Sequence, residues 1–202
     1  NASPSLVYGR LIDPPGAAGD TGVYGIYADT QTDLTIRNLG VTGARFGVFM
    51  ANVDRAVIRS DSFGACGEGG IYLHSGADTN TIQDNVASNN GSAAVNNTIG
   101  IWLNFGISNT LKNNIANSVV TPSSGYGIRI RGCTWTIVQD NTANANVYGM
   151  NFSLCNTDTA IGNTANANTS VGCATAGDQN IVFQNNTAQY NSSYGFDIQS
   201  TN

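Results

Sequence analysis

Asn141-Thr142-Ala143-Asn144-Ala145-Asn146-Val147-Tyr148-Gly149-Met150-Asn151-Phe152 is one copy of a unit that returns along most of the chain. An Asn-rich turn leads to an aromatic residue and a Gly, and a short alternating strand follows. Nearly the same unit stands at Asn163-Thr164-Ala165-Asn166-Ala167-Asn168, and again at Asn186-Thr187-Ala188, which leads to Tyr194-Gly195-Phe196-Asp197-Ile198. The Gly that opens the strand falls at Gly25, Gly47, Gly70, Gly100, Gly127, Gly149 and Gly195, with gaps of 22, 23, 30, 27, 22 and 46 residues. The Asn after the other short strand falls at Asn85, Asn114, Asn141, Asn163 and Asn186, with gaps of 29, 27, 22 and 23. Both landmarks give a period of 22–23 residues with a few insertions, and 46 is two periods.

A leucine-rich repeat would show Leu-x-x-Leu-x-Leu-x-x-Asn, and no copy does. Asn, Thr, Ser and Gly favour turns over helix interiors, and the apolar residues alternate with period two over four or five positions. The pattern predicts an all-β chain: a parallel β-helix of about 7–8 coils, with two or three short strands per coil. It reads as a single domain over 1–202, with a first irregular coil at 1–23, regular coils at 24–202 and insertions near 91–99, 117–125 and 169–178. Stacked Asn side chains are expected to hydrogen-bond along the axis, and Asn tolerates the left-handed backbone of a sharp corner. Regular apolar positions and 41% hydrophobic residues argue against a disordered Asn-rich tract.

The 202 residues allow a sizeable core, drawn out in a solenoid as a line of stacked side chains. Only 10% of residues are charged and the net charge is −5; Lys112 and His74 are the single Lys and His. No basic patch points to nucleic acid, and no apolar run approaches a membrane span. The chain starts at Asn1 without Met or a signal peptide, as a mature secreted or trimmed chain would. Abundant Asn and Thr, scarce Lys and sequons at Asn90, Asn96, Asn151, Asn168, Asn185 and Asn191 fit an extracellular or cell-surface protein. Neither end shows a capping helix. Bare coils expose apolar side chains and unpaired backbone, so the chain reads as a slice of a longer protein or as a subunit that stacks end to end.

Within Gly-x-y-x-z the x positions are mostly apolar and should point inward. The y positions (Tyr27, Phe49, Tyr72, Trp102, Arg129, Asn151, Asp197) and the z positions (Asp29, Ala51, His74, Asn104, Arg131, Ser153, Gln199) should point outward. With coils about 4.8 Å apart, four aromatics form an exposed ladder that ends on two Arg. Exposed apolar stripes on a polar protein mark contacts. The insertions should wall a groove on one edge of the same sheet, since insertions that map to one face often mark the binding face. Tyr27, Phe49, Tyr72, Trp102, Arg129 and Arg131 are therefore the candidate substrate-binding residues. The competing reading packs the aromatics under loops or against a sister chain.

The Asn-x-x-x-Asn turns and Tyr/Phe-Gly-Ile strands of residues 24–202 resemble the right-handed parallel β-helix repeat of the pectate-lyase-like superfamily, which includes alginate C5-epimerases and many surface and tailspike proteins. That resemblance implies a right-handed solenoid that handles polysaccharide on one long sheet. Tyr194-Gly195-Phe196-Asp197 resembles the opening of the Tyr-Gly-Phe-Asp-Pro-His motif of the epimerases. Ile198 and Gln199 replace the Pro and His here, so the acid/base role does not carry over to this strand.

Chemistry on a uronate needs a base, a proton donor and a cation for the carboxylate. Arg129 and Arg131 suit the carboxylate, and His74 with Tyr72 suits proton exchange. These four are the catalytic candidates, and an enzyme built on them would be a polysaccharide lyase or epimerase. No cluster of carboxylates suggests calcium, no pair suggests glycoside hydrolysis, and no motif calls for a cofactor. Cys133 and Cys155 stand six residues after their strand Gly, so they stack in adjacent coils and are expected to form a disulfide. Cys173 competes for Cys155, and Cys66 is left for another chain. Three readings follow: a protein that binds, and in one version modifies, an acidic polysaccharide; a structural surface, fibre or sheath subunit; and ice binding, which wants flat Thr arrays that these columns lack.

Overall fold

A computed structural model describes residues 6–8, 24–92, 95–119, 121 and 123–200, and among these there are strands and turns but no helix. Apart from Leu6–Tyr8, the irregular first coil expected at 1–23 lies outside the described residues. In chain order the first strands are β1 (Leu6–Tyr8), β2 (Tyr24–Asp29), β3 (Thr35–Arg37), β4 (Gly40–Thr42), β5 (Phe46–Ala51) and β6 (Val57–Arg59). Next come β7 (Ser62–Gly64), β8 (Gly69–His74), β9 (Thr81–Gln83), β10 (Ile99–Asn104), β11 (Thr110–Lys112) and β12 (Tyr126–Arg131). The last are β13 (Ile137–Gln139), β14 (Tyr148–Ser153), β15 (Thr159–Ile161), β16 (Val171–Asp178), β17 (Val182–Gln184) and β18 (Tyr194–Ser200).

The longer strands β2, β5, β8, β10, β12, β14, β16 and β18 stack in parallel as one sheet, and the three-residue strands β1, β3, β6, β9, β11, β13, β15 and β17 stack as a second. Strands β4 and β7 begin a third face, which continues as single bridges through Val86, Ile115, Thr142, Thr164 and Thr187. The result is a parallel β-solenoid of about seven turns. Its interior is the line of apolar side chains that the alternation implies: Val48, Met50, Ile71, Leu73, Ile101, Leu103, Ile128, Ile130, Met150 and Phe152 are all buried.

The repeat Asn-x-Ala…aromatic-Gly has a packing cause. The Ala Cβ of each unit (Ala87, Ala116, Ala143, Ala165, Ala188) faces the Gly that opens the preceding long strand (Gly70, Gly100, Gly127, Gly149, Gly172). A Cβ on Gly127 would stand 2.7 Å from the Ala116 carbonyl oxygen and 2.8 Å from the Ala143 Cβ. The coil is so narrow there that only Gly against Ala fits.

The Asn column stacks as expected. The Asn85 side-chain amide donates to Asn114 Oδ1 at 3.0 Å, Asn114 to Asn141 at 3.0 Å, Asn141 to Asn163 at 3.1 Å and Asn163 to Asn186 at 2.9 Å. A second ladder runs through Asn146, Asn168 and Asn191. Each Oδ1 also takes a backbone N–H from the preceding coil, so buried corners keep their polar groups paired.

Two expectations are corrected. The stretch 169–178 is no insertion: it is built as β16, with Gly172 at the strand-opening position, and it splits the 46-residue gap into two periods. Its inward residues Cys173 and Thr175 and its missing aromatic hid it. The Cys133–Cys155 disulfide is absent: all four thiols are free and buried, including Cys66, which is therefore closed to another chain. In-register parallel neighbours hold their Cβ atoms near the coil spacing of about 4.8 Å, beyond the roughly 3.5–4.5 Å that a disulfide needs. Cys133 Sγ instead donates to the Arg131 carbonyl at 3.4 Å and Cys155 Sγ to that of Ile130 at 3.4 Å. Burial pushes the Cys133 thiol up to about 11 and the Cys173 thiol up to about 12. Among the described residues no helix is long and apolar enough to cross a membrane.

Candidate functional site

Parallel register sets the y positions of the long sheet in one row along the axis. Tyr27 lies beside Phe49, Phe49 beside Tyr72, Tyr72 beside Trp102, Trp102 beside Arg129, and Arg129 beside Asn151. The rings touch. Tyr27 stacks on Phe49 with centroids 5.6 Å apart, Phe49 meets Tyr72 edge-on at 5.1 Å, and Tyr72 stacks on Trp102 at 4.2 Å. Arg129 adds a fifth rung, its guanidinium 5.5 Å from the Trp102 ring and 4.7 Å from the Tyr126 ring.

The row is less open than the sequence suggests. Tyr27 is exposed, Phe49, Trp102 and Arg129 are half-buried, and Tyr72 is buried. A second aromatic column causes this. Tyr24, Phe46, Tyr126 and Tyr148 occupy the residue before the strand Gly; the first three lean over the first column, and Tyr148 stacks on Tyr126 at 5.0 Å. The sequence displayed these residues as a repeat landmark, and only the register shows that they share the outer face. Gly69 and Ile99 interrupt this second column, and the Phe46 ring lies across Gly69, 5.2 Å from Tyr72.

The z row brings His74, Asn104 and Arg131 beside the buried end of the ladder. The Tyr72 hydroxyl lies 3.1 Å from His74 Nδ1, and the Asn104 amide nitrogen is 3.3 Å from each. The direction of the Tyr72–His74 contact follows the imidazole tautomer: a proton on Nε2 makes Nδ1 the acceptor, and a proton on Nδ1 makes the hydroxyl the acceptor. Burial raises the Tyr72 pKa, partly offset by the Asn104 hydrogen bond and by the charges of Arg131 and Arg129. The phenol is therefore a proton donor at neutral pH rather than a base. Burial pulls Arg129 below the usual guanidinium value, and the charge of Arg131 adds to this.

Among the described residues the ion pairs are Arg45–Glu68 and Arg55–Asp33, so Arg129 and Arg131 have no carboxylate partner. Arg37, Arg59 and Lys112 of the three-residue-strand sheet are unpaired too, but Arg129 and Arg131 are the unpaired cations of the long sheet. Trp102 Nε1, Asn104 Oδ1 and Arg129 Nε are also shielded without a protein partner. Aromatic faces, two uncompensated cations and unused polar atoms meet on three adjacent strands. The two true insertions lead into β10 and β12 and bond to each other: Thr121 donates to the Val95 carbonyl at 3.2 Å and Ser123 to Asn96 Oδ1 at 2.9 Å.

Residues 19–153 and 95–202 match the family model described as right handed beta helix region. The chain belongs to the right-handed β-helix family. No curated protein sequence matches it. Among solved structures it is similar to the periplasmic alginate epimerase AlgG, with a TM-score of 0.70 at 14% identity over 87% of this chain and 47% of that one. It is also similar to the enzymatically active domain of bacteriophage CBA120 tailspike protein 2, with a TM-score of 0.54 at 13% identity over 98% of this chain and 38% of that one. The chain thus spans about half the length of the epimerase structures it matches, 47%. At these identities the likeness is one of fold.

The strand that resembles the epimerase motif stands apart from the arginines in this β-helix. Asp197 and Gln199 lie on β18, three strands beyond Arg129, and bond to each other at 3.1 Å. Phe196 and Ile198 line a cavity of about 320 Å³ at the edge of the last coil, together with Phe183 and Ile181. Among the described residues no group of three or more His, Cys, Asp or Glu could hold a metal.

Proposed function

We propose that this β-helix binds an acidic polysaccharide along the outer face of its long sheet, with Trp102, Phe49 and Tyr27 against sugar rings and Arg129 and Arg131 against carboxylates. The observation that carries the reading is the pair of arginines on one strand, left without carboxylate partners in a chain of net charge −5 and flanked by stacked rings. Buried or shielded arginines are normally paired, and an anionic ligand supplies that partner. Tyr72 belongs to the floor of the site rather than to its contact surface. Its hydroxyl and His74, held together by Asn104, form the acid/base pair that a lyase or epimerase version of the site would use on a uronate bound by Arg131. A protein that handles such a polymer works outside the cytoplasm.

Titration calorimetry with polymannuronate and polygalacturonate, and with a neutral glucan as control, tests the reading. Binding of a uronan that Arg129→Ala and Arg131→Ala each weaken by about tenfold or more supports it. Absence of uronan binding, or equal binding by the double variant, overturns it. The apolar cavity at β18 supports a second reading, a structural one, in which a further coil covers Phe196 and Ile198. That coil can belong to a second copy or to a longer polypeptide, and solution mass by light scattering separates the two.

A further inference from the structure

Three bulky apolar residues occupy left-handed backbone on the turn that follows the long sheet: Phe105 (φ 59°), Trp135 (φ 56°) and Leu154 (φ 57°). They fall in three consecutive coils, the same coils that carry Trp102, Arg129 with Arg131, and Asn151. Backbone hydrogen bonds align Phe105 and Leu154 with Asn52 and Gly132, and Trp135 with Ser108 and Thr157. Elsewhere these turn positions hold the small or polar residues that left-handed backbone favours. Here large side chains take the strained conformation and yet remain in solvent, at 49%, 59% and 59% exposure. Phe105 packs across Gly132, but neither packing nor backbone preference accounts for Trp135 and Leu154, and strain retained at the surface points to a contact.

The patch is continuous with the site. The Arg131 guanidinium lies 5.8 Å from the Phe105 ring, and that ring lies across Gly132 toward the next coil. Trp135 is three residues past Gly132, within about 10 Å along the chain. Exposed Ser108, Asn156 and Thr157 occupy the neighbouring turn positions of the adjacent coils. A flat ring set among hydroxyls and amides suits a pyranose, which has an apolar face and polar edges. A protein partner would call for a contiguous apolar core instead.

We infer that Phe105, Trp135 and Leu154 form a second sugar platform, which takes units of the same acidic glycan that extend beyond Arg131 and around the turn. This inference rests on the reading of the arginine face given above, and it adds a length requirement to that reading. A disaccharide fills the arginine site alone. An octasaccharide reaches the platform.

Mannuronate and galacturonate di- and octasaccharides test it. Trp135→Asn is expected to leave disaccharide affinity unchanged and to weaken octasaccharide binding about tenfold or more. Because Asn suits left-handed backbone, the variant should melt no lower than the parent, which separates lost contact from lost fold. In Trp102→Phe, Trp135 is the single tryptophan; its emission should shift with the octasaccharide and stay constant with the disaccharide. Unchanged octasaccharide affinity in Trp135→Asn, with Arg129→Ala weakening both lengths, overturns the platform and spares the arginine site. Failure of either oligosaccharide to bind the parent overturns both.

Discussion

Asn141 shows how much one side chain carries in this architecture. Its Oδ1 accepts the Asn114 backbone N–H at 2.9 Å and side-chain amide at 3.0 Å, while its own amide donates to the Leu111 carbonyl at 3.0 Å and to Asn163 at 3.1 Å. Asn141→Ala leaves several buried groups unpaired, and chemical denaturation should show a loss of about 2–4 kcal/mol. Aspartate in such corner positions behaves differently. Asp61 and Asp158 each accept a backbone N–H through Oδ1, from Leu39 at 2.8 Å and Thr136 at 2.7 Å, and each leaves Oδ2 buried without a partner. Burial pushes both carboxyls up to about 6. A folded pKa above the unfolded one, about 3.9, means that the protonated form is the one that fits. Stability should be full below about pH 4, fall as pH rises toward 6 and stay lower above it. Asp61→Asn and Asp158→Asn should each raise the melting temperature at pH 7 and have no such effect below about pH 4.

At the scale of strands, two columns decide whether coils can close. The Gly column permits the long strands to pass the Ala column of the Asn-x-Ala turns. Gly127→Ala forces a methyl group to within 2.7 Å of the Ala116 carbonyl oxygen, and equilibrium unfolding should register a loss of about 1–3 kcal/mol. The free thiol column is the other case. Since Cys133 and Cys155 stack without bonding, a reducing agent should leave the melting temperature unchanged, and thiol titration of the unfolded chain should count four groups. A reductant-induced drop would show a bond between them.

At the scale of the whole molecule, the solenoid turns a sequence period into a spatial row. Residues 27, 49, 72, 102 and 129 become neighbours because each coil adds one rung. Salt should weaken uronan binding on this row, because its cations are partly in solvent and screening acts over about 8 Å at physiological ionic strength. Trp102→Ala removes both the stacked neighbour of Tyr72 and the ring beneath Arg129, so calorimetry should show weaker uronan binding with an unchanged neutral-glucan baseline. The membership of the site was legible in part. The y and z residues were readable from period-two alternation, yet the burial of Tyr72 and the role of Asn104 were not, since both depend on rings and amides contributed by other coils.

The sequence by itself determined the solenoid. A repeat of 22–23 residues with Asn corners and alternating apolar positions has one way to bury its apolar side chains while pairing its corner amides, and that way is to stack. Only the tertiary structure decided what lies between coils. It placed β16 where the local pattern was too weak to read, since Cys173 and Thr175 take their inward places from neighbours above and below. It kept Cys133 and Cys155 apart, because Cβ separation across a parallel register is a property of the stack and not of spacing along the chain. It also set Phe105 beside Arg131 and put Trp135 and Leu154 on the turns of the two following coils, because these turns come together only after the coils are wound.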